Sequence, residues 1–173
     1  MDNYDNTFHF DLERGKVGER LVRETFDALG YEIKDVSDDS AFWVEDVDYL
    51  TADGIKYEVK TDYKLQSTGN LALESQVYYK NYYELNDSWL WTSKADYFIF
   101  VNPHDTSCFY SIAAQDLRHL ARTEKLETYE KDGGYKTTSL ILLPLGKYLD
   151  CFDVWETQTP AYGASKETIY TEL

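Results

Sequence analysis

Val47-Asp48-Tyr49-Leu50-Thr51-Ala52-Asp53-Gly54-Ile55-Lys56-Tyr57-Glu58-Val59-Lys60 is the stretch whose pattern decides the fold. Val47 and Tyr49 alternate with Asp46 and Asp48, and Ile55, Tyr57 and Val59 alternate with Lys56, Glu58 and Lys60, which is the period of two of half-buried strands. Ala52-Asp53-Gly54 between them reads as a hairpin loop. If it is a three-residue loop with Gly54 in the left-handed position, Thr51 and Ile55 flank the turn, Asp48 faces Glu58, and Asp46 faces Lys60. The four polar residues then leave one face of the hairpin, while Val47, Tyr49, Tyr57 and Val59 leave the other. A two-residue Asp-Gly turn would slip the register by one and divide the polar set, so the apolar pattern favours the longer loop.

Two carboxylates opposed on neighbouring strands repel unless positive charge lies between them. A divalent cation answers that need. Asp48 and Glu58 offer hard oxygen ligands for Mg²⁺ or Mn²⁺, the Val59 backbone carbonyl can add a third, and water or a phosphate oxygen can complete the shell. Lys60 points the same way as Glu58 and can stabilise charge developing on a phosphoryl group or orient an attacking hydroxide.

Working outward, Val17, Leu21, Val22, Thr25, Phe26 and Leu29 recur at helical spacing, with Gly30 at the C-cap position, so Arg14 to Leu29 is expected to be a helix. Glu19 falls about 20° from Phe26 on that helix, at the edge of the apolar stripe. Lys16, Arg20 and Arg23 lie beside it as a short basic strip, either a solvated face or a contact to phosphates. Phe42-Trp43-Val44 is read as the start of the strand alternation. Leu71 to Val77 is expected to be a third strand, on which Glu74 and Gln76 share a face. Trp89 to Ala95 is a short helix or a loop, and Tyr97-Phe98-Ile99-Phe100-Val101 is a central strand covered on both sides. Phe109 to Ile112, Ala114 to Thr123 and Thr138 to Leu143 are expected as strand, helix and strand. Residues 1–156 form one domain, and 157–173, rich in Thr, Pro, Gly and Ser, a loop or tail.

Asp48, then Glu58-Val59-Lys60, with Glu19 on a preceding helix, resembles the PD-(D/E)xK nuclease superfamily; Val47 stands where the family name has Pro. The resemblance covers about residues 14 to 101. It implies a restriction-endonuclease-like α/β fold, an α-β-β-β-α-β core with a mixed central sheet flanked by helices. No clear helix is visible between Lys60 and Tyr97, where that pattern has one. It implies Mg²⁺- or Mn²⁺-dependent hydrolysis of DNA phosphodiesters with Glu19, Asp48, Glu58 and Lys60 as catalytic residues. A phage or mobile-element setting follows by analogy with phage-type members, as does a further contribution from Thr68 to Glu74 and from Trp89 to Tyr97. Lys64 and Gln76 join Lys16, Arg20 and Arg23 as candidate DNA contacts.

Composition restricts the classes. The 173 residues carry 17 Lys+Arg against 32 Asp+Glu, a formal charge of −15, yet 43% are hydrophobic and 16% aromatic, enough for a packed core. No apolar run approaches the roughly 20 residues of a membrane span. The opening Met1-Asp2-Asn3-Tyr4-Asp5-Asn6 is acidic where a secretory signal is basic and then apolar, so a cytoplasmic protein is expected. Cys108 and Cys151 lack metal-ligand spacing, and His9, His104 and His119 likewise. The charge opposes non-specific DNA binding. It therefore asks for a bound cation or a basic protein partner to bring DNA in, while the resemblance implies a homodimer or a partner for cutting both strands of a duplex. It also admits two rival readings: an acidic mimic of DNA, and an inactive nuclease-like binding subunit.

Overall fold

The computed structural model describes residues 4–157, with side chains from residue 15 onward. Helix α1 (Tyr4–Ala28) begins ten residues before the apolar periodicity does. It is followed by β1 (Ile33–Asp35), a single helical turn α2 (Ser40–Trp43), β2 (Tyr49–Thr51) and β3 (Lys56–Thr61). After the turn α3 (Leu65–Thr68) come β4 (Asn70–Tyr79), β5 (Glu84–Asp87), the turn α4 (Trp89–Thr92), β6 (Tyr97–Val101) and β7 (Cys108–Ala113). The chain ends in α5 (Ala114–Thr123), β8 (Glu127–Asp132), β9 (Lys136–Pro144), α6 (Leu145–Tyr148) and β10 (Asp153–Glu156). The segment from residue 158, expected as tail, lies outside the described residues, while Thr157 is tied back by its N–H to the Ser107 carbonyl at 2.9 Å. Among the described residues no helix is long and apolar enough to cross a membrane.

The protein is α/β, with a six-stranded mixed sheet in the order β1-β2-β3-β6-β7-β10 and a four-stranded antiparallel sheet in the order β5-β4-β9-β8. In the first sheet only β3 and β6 are parallel. Their crossover is made by α3, the β4–β5 hairpin and α4, not by a long helix. Central β6 is covered on both faces, as its unbroken apolar run requires. Ile99 and Val101 pack with Leu21, Val22 and Phe26 of α1, while Phe98 and Phe100 pack with Leu71, Leu73, Leu117 and Leu143 on the opposite side. Burial of whole side chains of this kind stabilises by about 1.5–3 kcal/mol each.

The hairpin register is the one expected from the three-residue loop. Tyr49 pairs with Tyr57 and Leu50 with Lys56, the Thr51 N–H donates to the Ile55 carbonyl at 3.0 Å, and Gly54 has φ +89°. Tyr49 and Val59 enter the core under α1. Asp46 departs from its expected place opposite Lys60: β2 starts only at Tyr49, and Asp46 sits in a left-handed turn (φ +50°) whose carbonyl accepts from Ser93 Oγ at 3.0 Å. Phe42-Trp43-Val44 is likewise not strand. Asp39 caps a helical turn there by accepting from the Ala41 N–H, and Trp43 and Val44 are 64% and 86% exposed, so no sheet face claims them.

Helix α1 meets β3 by direct backbone approach. A Cβ placed on Gly18 would stand 2.2 Å from Thr61 Oγ1 and 3.3 Å from Thr61 Cβ and Val101 Cβ, and Thr61 Oγ1 is itself bonded to the Gly15 carbonyl at 3.0 Å. Gly18→Ala is therefore expected to cost about 1–3 kcal/mol by overpacking. Gly146→Ala, in open space, should change stability by no more than about 0.5 kcal/mol. Urea unfolding of the two variants checks this, and equal stabilities would contradict the close approach.

Candidate functional site

The site begins where β2 falls short of β3. Along a strand a residue's N–H and C=O share one edge, and successive residues alternate edges. The Tyr57 carbonyl accepts from the Asp48 N–H at 2.9 Å, so the odd-numbered residues of β3 face β2. Two residues on, where β2 is missing, the Val59 N–H donates to Asp48 Oδ2 at 2.7 Å. The Asp48 side chain thus takes the place of a strand partner. The Val59 carbonyl, on that same edge, is directed to the side where Asp48 lies.

Glu58 and Lys60 alternate with Val59 and pair in register with Phe98 and Phe100, which places them on the face away from α1. Glu58 is only 6% exposed and is ion-paired through Oε1 to Lys60 Nζ. The Lys60 ammonium also lies over the Trp89 ring, 4.9 Å from its centroid, and its side chain is 26% exposed. Trp89, far along the sequence, carries no local signal of this role. Only the fold brings it to Lys60.

Electrostatics mark the cluster as short of positive charge. Burial pushes the Asp48 carboxyl up to about 8, and the Glu58 and Glu19 charges add to that, against the opposing Val59 hydrogen bond and Lys60 charge. Burial also raises Glu19, followed by repulsion from Asp35 and Glu58, with Lys16 partly offsetting it. For Lys60, burial favours the neutral amine, but Glu58, Asp48 and Asp46 outweigh it and keep the ammonium above its ordinary range. Lys60 is therefore a fixed positive charge at neutral pH and not a base.

The other candidate residues are spread more widely. Glu19, half-buried on α1, stands in electrostatic contact with Asp48 and Glu58, and its backbone carbonyl accepts from Tyr49 Oη at 2.8 Å. Lys16 and Arg20 are exposed, and Arg23 pairs with Asp27 at 3.0 Å. Lys64 and Glu74 line a cleft that also contains Lys60. Gln76 does not share the face of Glu74. A bulge between them shifts the register, so Glu74 pairs with Leu140 but Gln76 with Ser139, which puts Gln76 on the face of Leu73 and Leu143. Asp35 was not singled out in the sequence, and Trp89 was marked only as part of a phage-like segment, not as a neighbour of Lys60.

Asp48, Glu58 and the Val59 carbonyl are oxygen donors of the kind Mg²⁺ and Mn²⁺ take. Among the described residues, no group of three or more His, Cys, Asp or Glu side chains is arranged to hold an ion. Any ion would thus depend on the backbone carbonyl and water for its other ligands.

A carboxyl whose folded pKa exceeds its unfolded value favours folding at low pH; that contribution is complete below about pH 4 and is lost as pH rises toward about 8. Asp48→Asn, which keeps an acceptor for Val59, should gain stability over the native chain across that window. Melting temperatures measured against pH would contradict this if the two curves ran parallel. A cation must also displace the Asp48 proton at neutral pH, so Mn²⁺ affinity should climb between about pH 6 and about 8 with release of about one proton. Calorimetry in two buffers of different ionisation enthalpy reads that proton directly. Binding without proton release would contradict the assignment.

No protein-family model matches this chain, and no match is found among curated proteins or among solved structures.

Proposed function

We propose that the protein is a divalent-metal-dependent deoxyribonuclease. The observation that carries the reading is the convergence, at the open edge of β3, of the Asp48 carboxylate bonded to the Val59 N–H and of Glu58 ion-paired to Lys60. Two carboxylates, Glu58 buried and Asp48 half-buried, beside one half-buried lysine are a poor structural element, because each charge taken out of water costs several kcal/mol before pairing offsets it. They are a useful catalytic one. The element order supports the same reading: α1, then antiparallel β1, β2 and β3, then β6 parallel to β3, is the succession expected of a restriction-endonuclease-like core. It departs from that core in having single helical turns and a β-hairpin where a helix is expected.

In this reading Asp48, Glu58 and the Val59 carbonyl hold Mg²⁺ or Mn²⁺. The ion supplies Lewis acidity toward a phosphate oxygen and a water of lowered pKa. The Val59 hydrogen bond fixes one Asp48 oxygen and leaves the other for binding. Lys60, restrained between Glu58 and the Trp89 ring, presents its ammonium to charge growing on the phosphoryl oxygens. Glu19 adds negative charge that favours cation uptake and orients water. Lys16 and Arg20, exposed on α1, are the proposed contacts to flanking phosphates. A net charge of −15 leaves DNA delivery to the cation or a basic partner.

A second reading, an inactive nuclease-like binding subunit, is favoured by the lack of three closing side-chain donors among the described residues. A DNA mimic has no use for a lysine buried within its acidic cluster. Supercoiled plasmid and single-stranded circular DNA incubated with the protein should be cut in Mg²⁺ or Mn²⁺ and left intact in EDTA. Lys60→Ala and Glu58→Ala should each slow cutting by about 10²-fold or more. Cutting by the variants at the native rate would overturn the proposal; DNA binding without cutting by the native chain would favour the second reading.

A further inference from the structure

A cleft of about 590 Å³ that includes Lys60 is lined by residues of both sheets. Its apolar walls come from Trp89, Phe100, Ala72, Leu140 and Leu142. Polar groups stand at its rim, notably Lys64, Thr68, Asn70 and Lys131. The strand β8 is sorted about this cleft. Glu127, Tyr129 and Lys131 pair with Leu142, Leu140 and Thr138 and so share its face, Tyr129 and Lys131 lining the cleft, whereas Thr128, Glu130 and Asp132 lie on the other. Tyr129 is 57% exposed on an edge strand without a single buried residue, so packing does not account for it.

The cleft is lined by Lys60, Lys64 and Lys131 against Asp62 and Glu74, and the acids' oxygens are engaged by neutral donors. Asp62 is occupied by the backbone N–H groups of Lys64, Leu65 and Ala72 at 2.8, 3.1 and 3.2 Å, and Glu74 accepts from Ser88 Oγ at 3.4 Å. Lys64 and Lys131 form no ion pair with another described residue. A ligand suited to these walls has a flat apolar part and an anionic part. The volume lies within the roughly 300–1,000 Å³ of clefts that enclose one small group. A duplex, whose major groove alone is about 12 Å wide, does not enter such a space.

We infer that this cleft is a subsite for an unpaired nucleotide of single-stranded DNA, with the base against Tyr129 and the apolar wall and its phosphates near Lys64 and Lys131. The inference rests on the nuclease reading for its direction, since Lys60 belongs to both cleft and acidic cluster and a strand held at one extends into the other. It makes single strands, flaps or frayed ends the substrate in preference to continuous duplex. Stacking on aromatic side chains is tolerant of sequence, so no strong base preference is expected.

Fluorescence anisotropy with labelled oligo-dT of about 12 nucleotides, and with a blunt duplex of equal length, tests the inference without requiring cleavage. In Ca²⁺ buffer the single strand should bind about tenfold or more tighter than the duplex. Tyr129→Ala and Lys131→Glu should each weaken single-strand binding about fivefold or more, with unchanged melting temperature. Photocrosslinking of a 5-iodouracil oligonucleotide should label Tyr129 or Trp89, and excess single strand, not duplex, should compete. Equal affinity for duplex, or native affinity in both variants, would overturn the inference. The two failures are separable. Single-strand binding in the cleft without metal-dependent cutting sinks the nuclease reading alone, while duplex cutting indifferent to Tyr129 and Lys131 sinks the cleft alone.

Discussion

The hydrogen bond from the Val59 N–H to Asp48 Oδ2 joins the two halves of the structure's argument, its backbone pairing and its chemistry. Strand β2 is three residues long and β3 is six, so the second half of β3 would present unpaired amides on that edge. A buried unpaired amide costs about 1–3 kcal/mol. Asp48 satisfies one of them with its side chain, and in doing so it is drawn out of water beside Glu58. Burial there, with the Glu58 charge added, pushes the carboxyl up to about 8, although the Val59 hydrogen bond itself acts to lower it. Moving Asp48 by one register position would lose the backbone partner and the acidic pair together.

Everything around this contact serves to hold β3 in place. Gly18 lets α1 touch Thr61 and Val101, which brings Glu19 into the field of Asp48 and Glu58. On the opposite face Phe98 and Phe100 lie beside Glu58 and Lys60 in parallel register, and Trp89 closes over the Lys60 ammonium. One face of the strand is thus apolar and locked under a helix. The other is charged and open to a cleft whose far wall is the second sheet. That wall is built by β4 and β9, whose odd-numbered leucines Leu71, Leu73 and Leu143 enter the core while Ala72, Glu74, Leu140 and Leu142 line the cleft.

Much of this was legible in the sequence wherever one period ruled one element. The hairpin register followed from alternation together with Gly54, and the doubly covered β6 from an unbroken apolar run. Helix α5 follows its apolar spacing over the expected Ala114–Thr123. What was not legible depended on partners distant in sequence. Strands β5 and β8 are wholly exposed and carry no apolar alternation, so only their pairing makes them strands. Trp43 and Val44 looked like strand residues because they are apolar, but the Asp39 cap turns the chain before they can pair. The bulge at Glu74 and Gln76 reverses which side Gln76 faces, and no residue type in that stretch announces it. For the site, Asp48, Glu58 and Lys60 were readable from the hairpin alone. The nearness of Trp89 to Lys60, of Asp35 to Glu19 and of Tyr129 to the cleft needed the fold.

The central claim is that Asp48, Glu58 and the Val59 carbonyl form one cation site at the open edge of β3. Anomalous diffraction from a crystal grown with Mn²⁺ tests it most directly. The account predicts a peak at about 2.0–2.3 Å from an oxygen of each of these three residues, with Lys60 adjacent and the peak lost in Asp48→Asn. Mn²⁺ bound elsewhere with this edge vacant, or a Lys60 ammonium occupying the position between the two carboxylates in the presence of saturating Mn²⁺, would contradict it.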